Sequence, residues 1–479
     1  MKRKFLTNLI LLTGLNLLVK PFWIFGIDRT VQVLVGESEY GLYFSLFNLS
    51  FLLNIILDLG ITNFNNCDIA RHKHLLSKYF SNIFGLKLIL TLFYIVICLS
   101  IGLILKYNQR QFYLLLILVI NQILSSFILY LRSNLNALHL FKTDSILSVL
   151  DRIIMIILCS ILIWGNISKS HFQIEWFAYT QTISYFIDFI IAFILVLAKS
   201  EYFHLNFQFS YILIILKNSY PFALMVLLMS SYTYIDAIML ERLLPDGTFQ
   251  AGLYAQSFRI YYAFSMFALL FANLLLPIFS RMLKNKENIN DLTQFSFYLL
   301  IVPATILIVA SVIFSDNIIT LLYPGSLSQS SLIFSIIMLG FLPVCSNYIY
   351  GTLLTANNNL KQINIMAFTS AIVNIIANLI LIPLYKALGS AIALFITQLY
   401  SAIYQYILSY KLIHIDFSSK KLFKMIVFIV LLILLGIFTN IYISNWYLGI
   451  FVFFIISIII SMILKLFSPK YLLTIIKNN

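Results

Sequence analysis

The sequence predicts an all-α integral membrane protein of about 14 transmembrane helices: two six-helix parallel repeats followed by two C-terminal helices. Three observations carry that expectation. Of 479 residues, 61% are hydrophobic and only 10% are charged, against roughly 25% charged in a soluble domain. Apolar runs near the twenty residues that a bilayer core requires recur along the chain. A short phrase also occurs twice, as Glu39-Tyr40-Gly41-Leu42-Tyr43 and as Gln250-Ala251-Gly252-Leu253-Tyr254, 211 positions apart, each opening a long apolar run. A second pair supports the first: Leu135-Asn136-Ala137 leads to Phe141-Lys142, and Thr355-Ala356 leads to Leu360-Lys361, at an offset of 219. Similar offsets in the same order predict two halves of one design running in the same direction through the membrane.

Taken in order, the basic Met1-Lys2-Arg3-Lys4 precedes an apolar segment that runs to about Ile27 without a small-residue cleavage site. It therefore reads as the first transmembrane helix and not as a signal peptide. Further helices are expected at about 40–64, 80–105, 112–136, 145–165, 175–198, 212–240, 251–280, 293–315, 330–355, 363–382, 387–410, 422–440 and 446–466. The widest internal gap, Lys199 to Lys217, falls where the halves should join. The expected division is an N-terminal lobe over 1–200, a C-terminal lobe over 201–411, and two added helices with a tail over 412–479. With the N terminus inside, cytoplasmic segments hold 21 Lys and Arg and outer segments hold six. That bias fixes the orientation, and the even helix count puts both termini in the cytoplasm.

Several function classes fall away. The net charge of +14 lies in short loops between helices, so it reflects topology and no nucleic-acid patch. The four cysteines, Cys67, Cys98, Cys159 and Cys345, are scattered and mostly lie inside apolar runs, with neither disulfide nor metal spacing. His72, Lys73 and His74 read as a solvated basic loop, and the sequon Asn166-Ile167-Ser168 as a chance match. No phosphate-cradling glycine loop, HExxH motif or nucleophile with an evident base appears, so neither a cofactor nor a metal is expected. No outer loop exceeds about fifteen residues, which leaves no place for the outer domain of a multi-pass glycosyltransferase or polymerase.

Charges at membrane depth mark functional sites by default. They are Lys20, Asp58, Lys87, Asp151, Arg152, Asp188, Asp236 and Arg259, all before residue 260. Helical spacing groups Asn54 with Asp58, Ser148 with Arg152, Gln181 and Ser184 with Asp188, and Tyr232 with Asp236. Asp151 points about 100° away from Arg152. Lys20 directly precedes Pro21, whose missing N–H should kink the first helix beside a cation. Two readings stay open. Lys20, Arg152 and Arg259 can form cationic sites for an anionic substrate in a hydrated passage. Alternatively Asp58, Asp151, Asp188 and Asp236 can act as ion-pair or coupling groups that neutralise them. Lys87, near the cytoplasmic end of its helix, reads as a snorkelling residue. Tyr40, Tyr43, Tyr261 and Tyr262 near helix ends are candidates for lining a sugar path.

Three stretches resemble the polysaccharide and O-antigen flippases of the multidrug/oligosaccharidyl-lipid/polysaccharide exporter superfamily. The first is Glu39-Tyr40-Gly41-Leu42-Tyr43 with Leu57-Asp58-Leu59-Gly60. The second is Tyr234-Ile235-Asp236 with Met239-Leu240, then Gly252-Leu253-Tyr254-Ala255 and Pro277. The third is Asn374, Asn378 and Ile382-Pro383, then Leu388-Gly389-Ser390-Ala391-Ile392-Ala393. In the third, the two asparagines suit hydrogen bonding across a helix interface, and Lys386 stands where many relatives have glycine. The resemblance implies an alternating-access flippase of the bacterial inner membrane, not an enzyme. Its substrate would be an undecaprenyl-diphosphate-linked oligosaccharide for O-antigen, capsule or exopolysaccharide synthesis. Membrane lipid and the polysaccharide polymerase and chain-length machinery are the implied partners. A cation-coupled multidrug exporter of the same superfamily is the alternative, with a membrane glycosyltransferase or a non-transporting scaffold behind it.

Overall fold

The computed structural model describes residues 14–16, 18–62, 65, 69, 76–138, 140–165, 172–205, 209–325, 328–415 and 419–466. The basic N terminus, the His72-Lys73-His74 loop, the sequon at Asn166, Cys67 and the C-terminal tail lie outside these residues. Every described element is helical, because a backbone in hydrocarbon must satisfy its own N–H and C=O groups. The elements are α1 (18–35), α2 (Glu37–Leu52), α3 (Leu76–Ile104), α4 (Gln109–Ala137), α5 (Phe141–Trp164), α6 (Ile174–Leu197), α7 (Phe209–Leu243) and α8 (Gly247–Lys284). Then follow α9 (Asn290–Ile313), the short α10 (Ser315–Leu322), α11 (Ser328–Leu339), α12 (Phe341–Ala356), α13 (Leu360–Ile413), α14 (Ser419–Tyr442) and α15 (Trp446–Ile463).

Among the described residues, twelve helical stretches are long and apolar enough to cross a membrane. One of them, α13, is two helices folded at Lys386; counting it twice and adding α1 gives the fourteen expected segments. The expected helix over 330–355 is α11 and α12 meeting at Gly340. Caps fix several ends. Asn108 and Gln111 form a reciprocal capping box at the start of α4, and Asn445 caps α15. Large apolar side chains such as Leu92, Ile380, Phe423 and Ile463 are more than half exposed, as a lipid-facing surface requires.

Three departures from the expected boundaries have physical causes. The first helix does not stop at Ile27. It runs to Val35, widening into a π-helical turn over Trp23–Asp28 just after Pro21, where a backbone donor is missing. The second leaves α-geometry early: a 3₁₀ turn over Leu53–Leu57 follows α2, and the chain turns at Leu59 (φ 45°) and Gly60 (φ 80°). Asn54 and Asp58 consequently do not share a face. Asn54 donates to Gln122 Oε1 at 2.7 Å on α4, while Asp58 meets α3. At the fold in α13, Lys386 itself adopts the positive φ of 54° that glycine favours. The tight hairpin survives the lysine, and Ser390 donates across it to Asn378 Oδ1 at 3.0 Å. A Cβ at Gly389 would stand 2.2 Å from the Leu381 carbonyl oxygen.

The chain forms two compact units, Met1–Ala255 and Gln256–Asn479. In the first, α4 packs on α6, α5 on α6, α2 on α4, and α2 on α7. The helix expected to open the second lobe is thus part of the first compact unit. Phe80, Leu86, Tyr130, Leu135, Leu147 and Val196 anchor one of its apolar cores. In the second unit, α12 packs on α13, α9 on α12, α11 on α13, and α14 on α15 and α9.

Candidate functional site

Within the first unit, α1, α2, α4, α5 and α6 turn polar side chains toward one another. Small and amide side chains make this possible: Ser148 of α5 accepts from Asn16 Nδ2, just before α1, at 3.0 Å, and α1 packs on α5. Four residues on, Arg152 Nη2 donates to Tyr185 Oη at 3.0 Å, and its guanidinium lies over the Trp23 ring (5.4 Å) and the Tyr185 ring (5.7 Å). Arg152 Nε also pairs with Asp151 Oδ2 at 3.3 Å, although helical spacing alone aims the two apart. The network continues through Gln181, which donates to Tyr185 Oη at 3.3 Å and accepts from Tyr43 Oη at 3.2 Å and from Asn121 Nδ2 at 3.3 Å. Tyr43 is thereby tied to the same network as Arg152.

Lys20 is half-buried and lies within the fields of Arg152, Asp151 and Arg132. Two of the three expected cations, Lys20 and Arg152, are therefore brought together. Arg259 is half-buried on α8 and belongs to the second unit. Sequence reasoning missed Arg132, which it counted with the cytoplasmic loop; on α4 its Nε pairs with Asp144 Oδ1 at 2.8 Å. It also missed Asp28, because the first helix continues past Ile27. Asp28 is buried in the π-helical turn and accepts from Tyr40 Oη at 2.8 Å and Gln32 Nε2 at 3.2 Å. The tyrosines of the repeated phrase were its available signal.

The remaining acids differ from one another. Asp188 is 1% exposed, and neither of its carboxylate oxygens has a hydrogen-bond partner. Asp236 is buried and accepts from Tyr254 Oη at 2.8 Å. Asp58 accepts from the backbone N–H of Thr62 at 3.3 Å and from its hydroxyl, and pairs with Lys87 at 3.3 Å. Lys87 does not snorkel. It is 1% exposed, and it donates to the Leu57 carbonyl and to Ser126 Oγ, each at 2.9 Å. The 3₁₀ break after α2 frees that carbonyl, and the ammonium caps it, so Lys87 serves to hold the bent helix.

The ends of these helices around Glu39, Arg110 and Glu175 carry a charged layer. Arg110 binds Glu39 with two hydrogen bonds of 2.9 and 2.6 Å and Glu175 with one of 2.8 Å. Gln111 donates to Glu241 at 3.0 Å, and Arg242 donates to the Leu105 carbonyl at 2.8 Å. Arg242 stacks 4.1 Å from the centre of the Tyr107 ring; burial, with Glu241 adding to it, pushes the Tyr107 hydroxyl up to about 12, so the ring beneath the guanidinium stays neutral. Below this layer the two copies of the repeated phrase cross. A Cβ on Gly41 would lie 1.8 Å from the Thr248 carbonyl oxygen, and one on Gly252 would lie 2.0 Å from the Glu37 carbonyl oxygen. Each glycine rests on the carbonyl four residues before the other, a close backbone crossing of the small-residue type.

Among the described residues, no group of three or more His, Cys, Asp or Glu is placed to hold a metal. The model of a family described as "Polysaccharide biosynthesis protein" matches residues 6–283, more than half of the chain. No curated protein matches the chain. A solved structure of the lipid II flippase MurJ in an inward closed conformation superposes with a TM-score of 0.72 at 18% identity, over 95% of this chain and 98% of that one. An inward-facing multidrug resistance MATE family transporter of the MOP superfamily gives 0.64 at 14% identity, over 80% and 92%. A MOP superfamily transporter from Pyrococcus furiosus gives 0.59 at 14% identity, over 84% and 96%. At such identities the likeness is one of fold.

Proposed function

The chain belongs to the polysaccharide biosynthesis protein family, and from that premise we propose that it is a flippase for a lipid-linked oligosaccharide. The substrate we assign is an undecaprenyl-diphosphate carrier bearing the repeat unit of an O-antigen, capsule or exopolysaccharide. The observation that carries this reading is the cationic cluster of Lys20, Arg132 and Arg152 inside the first unit, with Arg152 oriented by Asp151 and Tyr185. A guanidinium held in place by neighbours binds a diphosphate with less loss of side-chain freedom than a mobile one. The fold shared with a lipid II flippase adds support, since that protein too handles a lipid-linked substrate.

In this mechanism the lobes over 1–200 and 201–411 rock against each other, exposing a central passage first to the cytoplasm and then to the outside. Lys20, Arg152 and Arg259 hold the diphosphate in turn, polar groups of the passage meet the sugars, and the polyprenyl tail stays in lipid. Two negative charges leaving a negative-inside cell gain about 2 × 2.3 kcal/mol per 100 mV, so the membrane potential alone can drive export without a nucleotide. The protein sits in the bacterial inner membrane with both termini in the cytoplasm, beside the polymerase and chain-length machinery, and catalyses no covalent step.

The test is outward translocation of a lipid-diphosphate oligosaccharide in vesicles, comparing the natural chain with Arg152→Ala and Arg259→Ala at equal protein levels. A loss of at least tenfold in either variant is expected, the equivalent of about 1.4 kcal/mol. Unchanged transport would return both arginines to structural ion pairing. Drug efflux with no lipid translocation would favour a cation-coupled exporter, the reading to which the buried acids Asp188 and Asp236 otherwise point.

A further inference from the structure

We infer that Asp188 is a proton-binding site that sets the net charge of the cationic cluster. Its carboxylate lies two-thirds of the way along α6, 1% exposed, and neither oxygen accepts a hydrogen bond. An ionised carboxylate buried without any partner is among the costliest arrangements a protein can hold, and taking up a positive charge removes that cost.

Among the described residues, the surrounding groups leave no partner to supply that charge. Asp151 on α5 and Arg132 on α4 are the charged groups whose fields reach Asp188. Asp151 is occupied by Arg152 at 3.3 Å, and Arg132 by Asp144 at 2.8 Å. On α6 itself, Ser184 donates to the Thr180 carbonyl at 2.7 Å, and Tyr185 serves Arg152 and Gln181. From α2, Tyr43 is directed to Gln181, and in α1 the carboxylate of Asp28 is held by Tyr40 and Gln32.

The occupant follows from the shape of the site. A metal cation needs several oxygens around it, and no set of three acidic, His or Cys side chains gathers among the described residues. A proton needs one oxygen. The consequence rests on the flippase reading. Among the described residues, Lys20, Arg132 and Arg152 stand beside Asp144, Asp151 and Asp188, and these six groups sum to zero while Asp188 is ionised. With a proton on Asp188 they carry one positive charge and favour an anion such as a diphosphate.

The experiment is carbodiimide modification of the full chain in lipid nanodiscs without substrate, mapped by mass spectrometry. Dicyclohexylcarbodiimide adds to protonated carboxyls in apolar surroundings. Modification of Asp188 that falls as pH rises, and that sodium ions leave unchanged, is the expected result. Absence of modification at Asp188 across the whole pH range overturns the inference, as does suppression by sodium at constant pH, which would name a metal ion instead. Asp188→Glu should keep the modification and Asp188→Asn should lose it; a variant that fails to fold leaves the natural chain's result decisive. No transport is measured, so the outcome stands apart from the fate of the flippase reading.

Discussion

Replacing Lys87 by methionine tests the account of the bent second helix most directly. The ammonium donates to the Leu57 carbonyl at 2.9 Å, to Ser126 Oγ at 2.9 Å, and to Asp58 Oδ1 at 3.3 Å. Methionine keeps the length and apolar stem of lysine but makes none of these bonds. Removing one member of a buried ion pair costs about 3–5 kcal/mol, mostly from the charge left behind. Asp58 keeps its Thr62 donors and is 24% exposed, so the lower end, about 3 kcal/mol, is expected. Combining Lys87→Met with Asp58→Asn removes the stranded charge. That double variant should recover to within about 1–2 kcal/mol of the natural chain, the remainder reflecting the uncapped Leu57 carbonyl. Reversible unfolding in mixed micelles, followed by circular dichroism against denaturing detergent, measures both. A single variant within about 0.5 kcal/mol of the natural chain, or ready acylation of Lys87 by a water-soluble reagent in vesicles, would refute the capping role.

Two further substitutions probe the backbone. Gly41→Ala places a methyl 1.8 Å from the Thr248 carbonyl oxygen, beyond ordinary overpacking of about 1–3 kcal/mol; folded yield by fluorescence-detected size exclusion should collapse, and a natural yield would sink the close crossing. Lys386→Gly relieves a lysine at φ 54°, ψ −132° and should stabilise the hairpin by about 1 kcal/mol. A lower melting temperature would contradict that.

The helices were legible because hydrocarbon imposes one rule everywhere: about twenty apolar residues for each crossing. The repeated phrase was legible for a related reason. Glycine and tyrosine stand out in an apolar background, and here they mark a backbone crossing and the partners of Asp28 and Asp236. What stayed hidden is what depends on neighbours brought in from elsewhere in the chain. Nothing near Lys87 in sequence reveals that Leu57 offers it a free carbonyl, because the turn that frees the carbonyl puts a leucine at positive φ. Arg132 reads as a loop cation until Asp144 is seen beside it. Asp28 reads as a loop acid until the π-helical turn carries its helix eight residues further. Asp188 was visible as a buried charge, yet only the packing of α4, α5 and α6 reveals that its neighbours are already engaged.

The crossing of Gly41 with Gly252 also bears on how the chain is made. The surface on which Gly41 rests is the backbone at Thr248, more than two hundred residues downstream. Until the ribosome has delivered that stretch, the first six helices can pack on one another, but α2 lacks the backbone against which Gly41 rests. Biogenesis of the first compact unit therefore waits for the start of the second repeat, and a nascent chain stalled near residue 200 presents an unfinished surface to the insertion machinery.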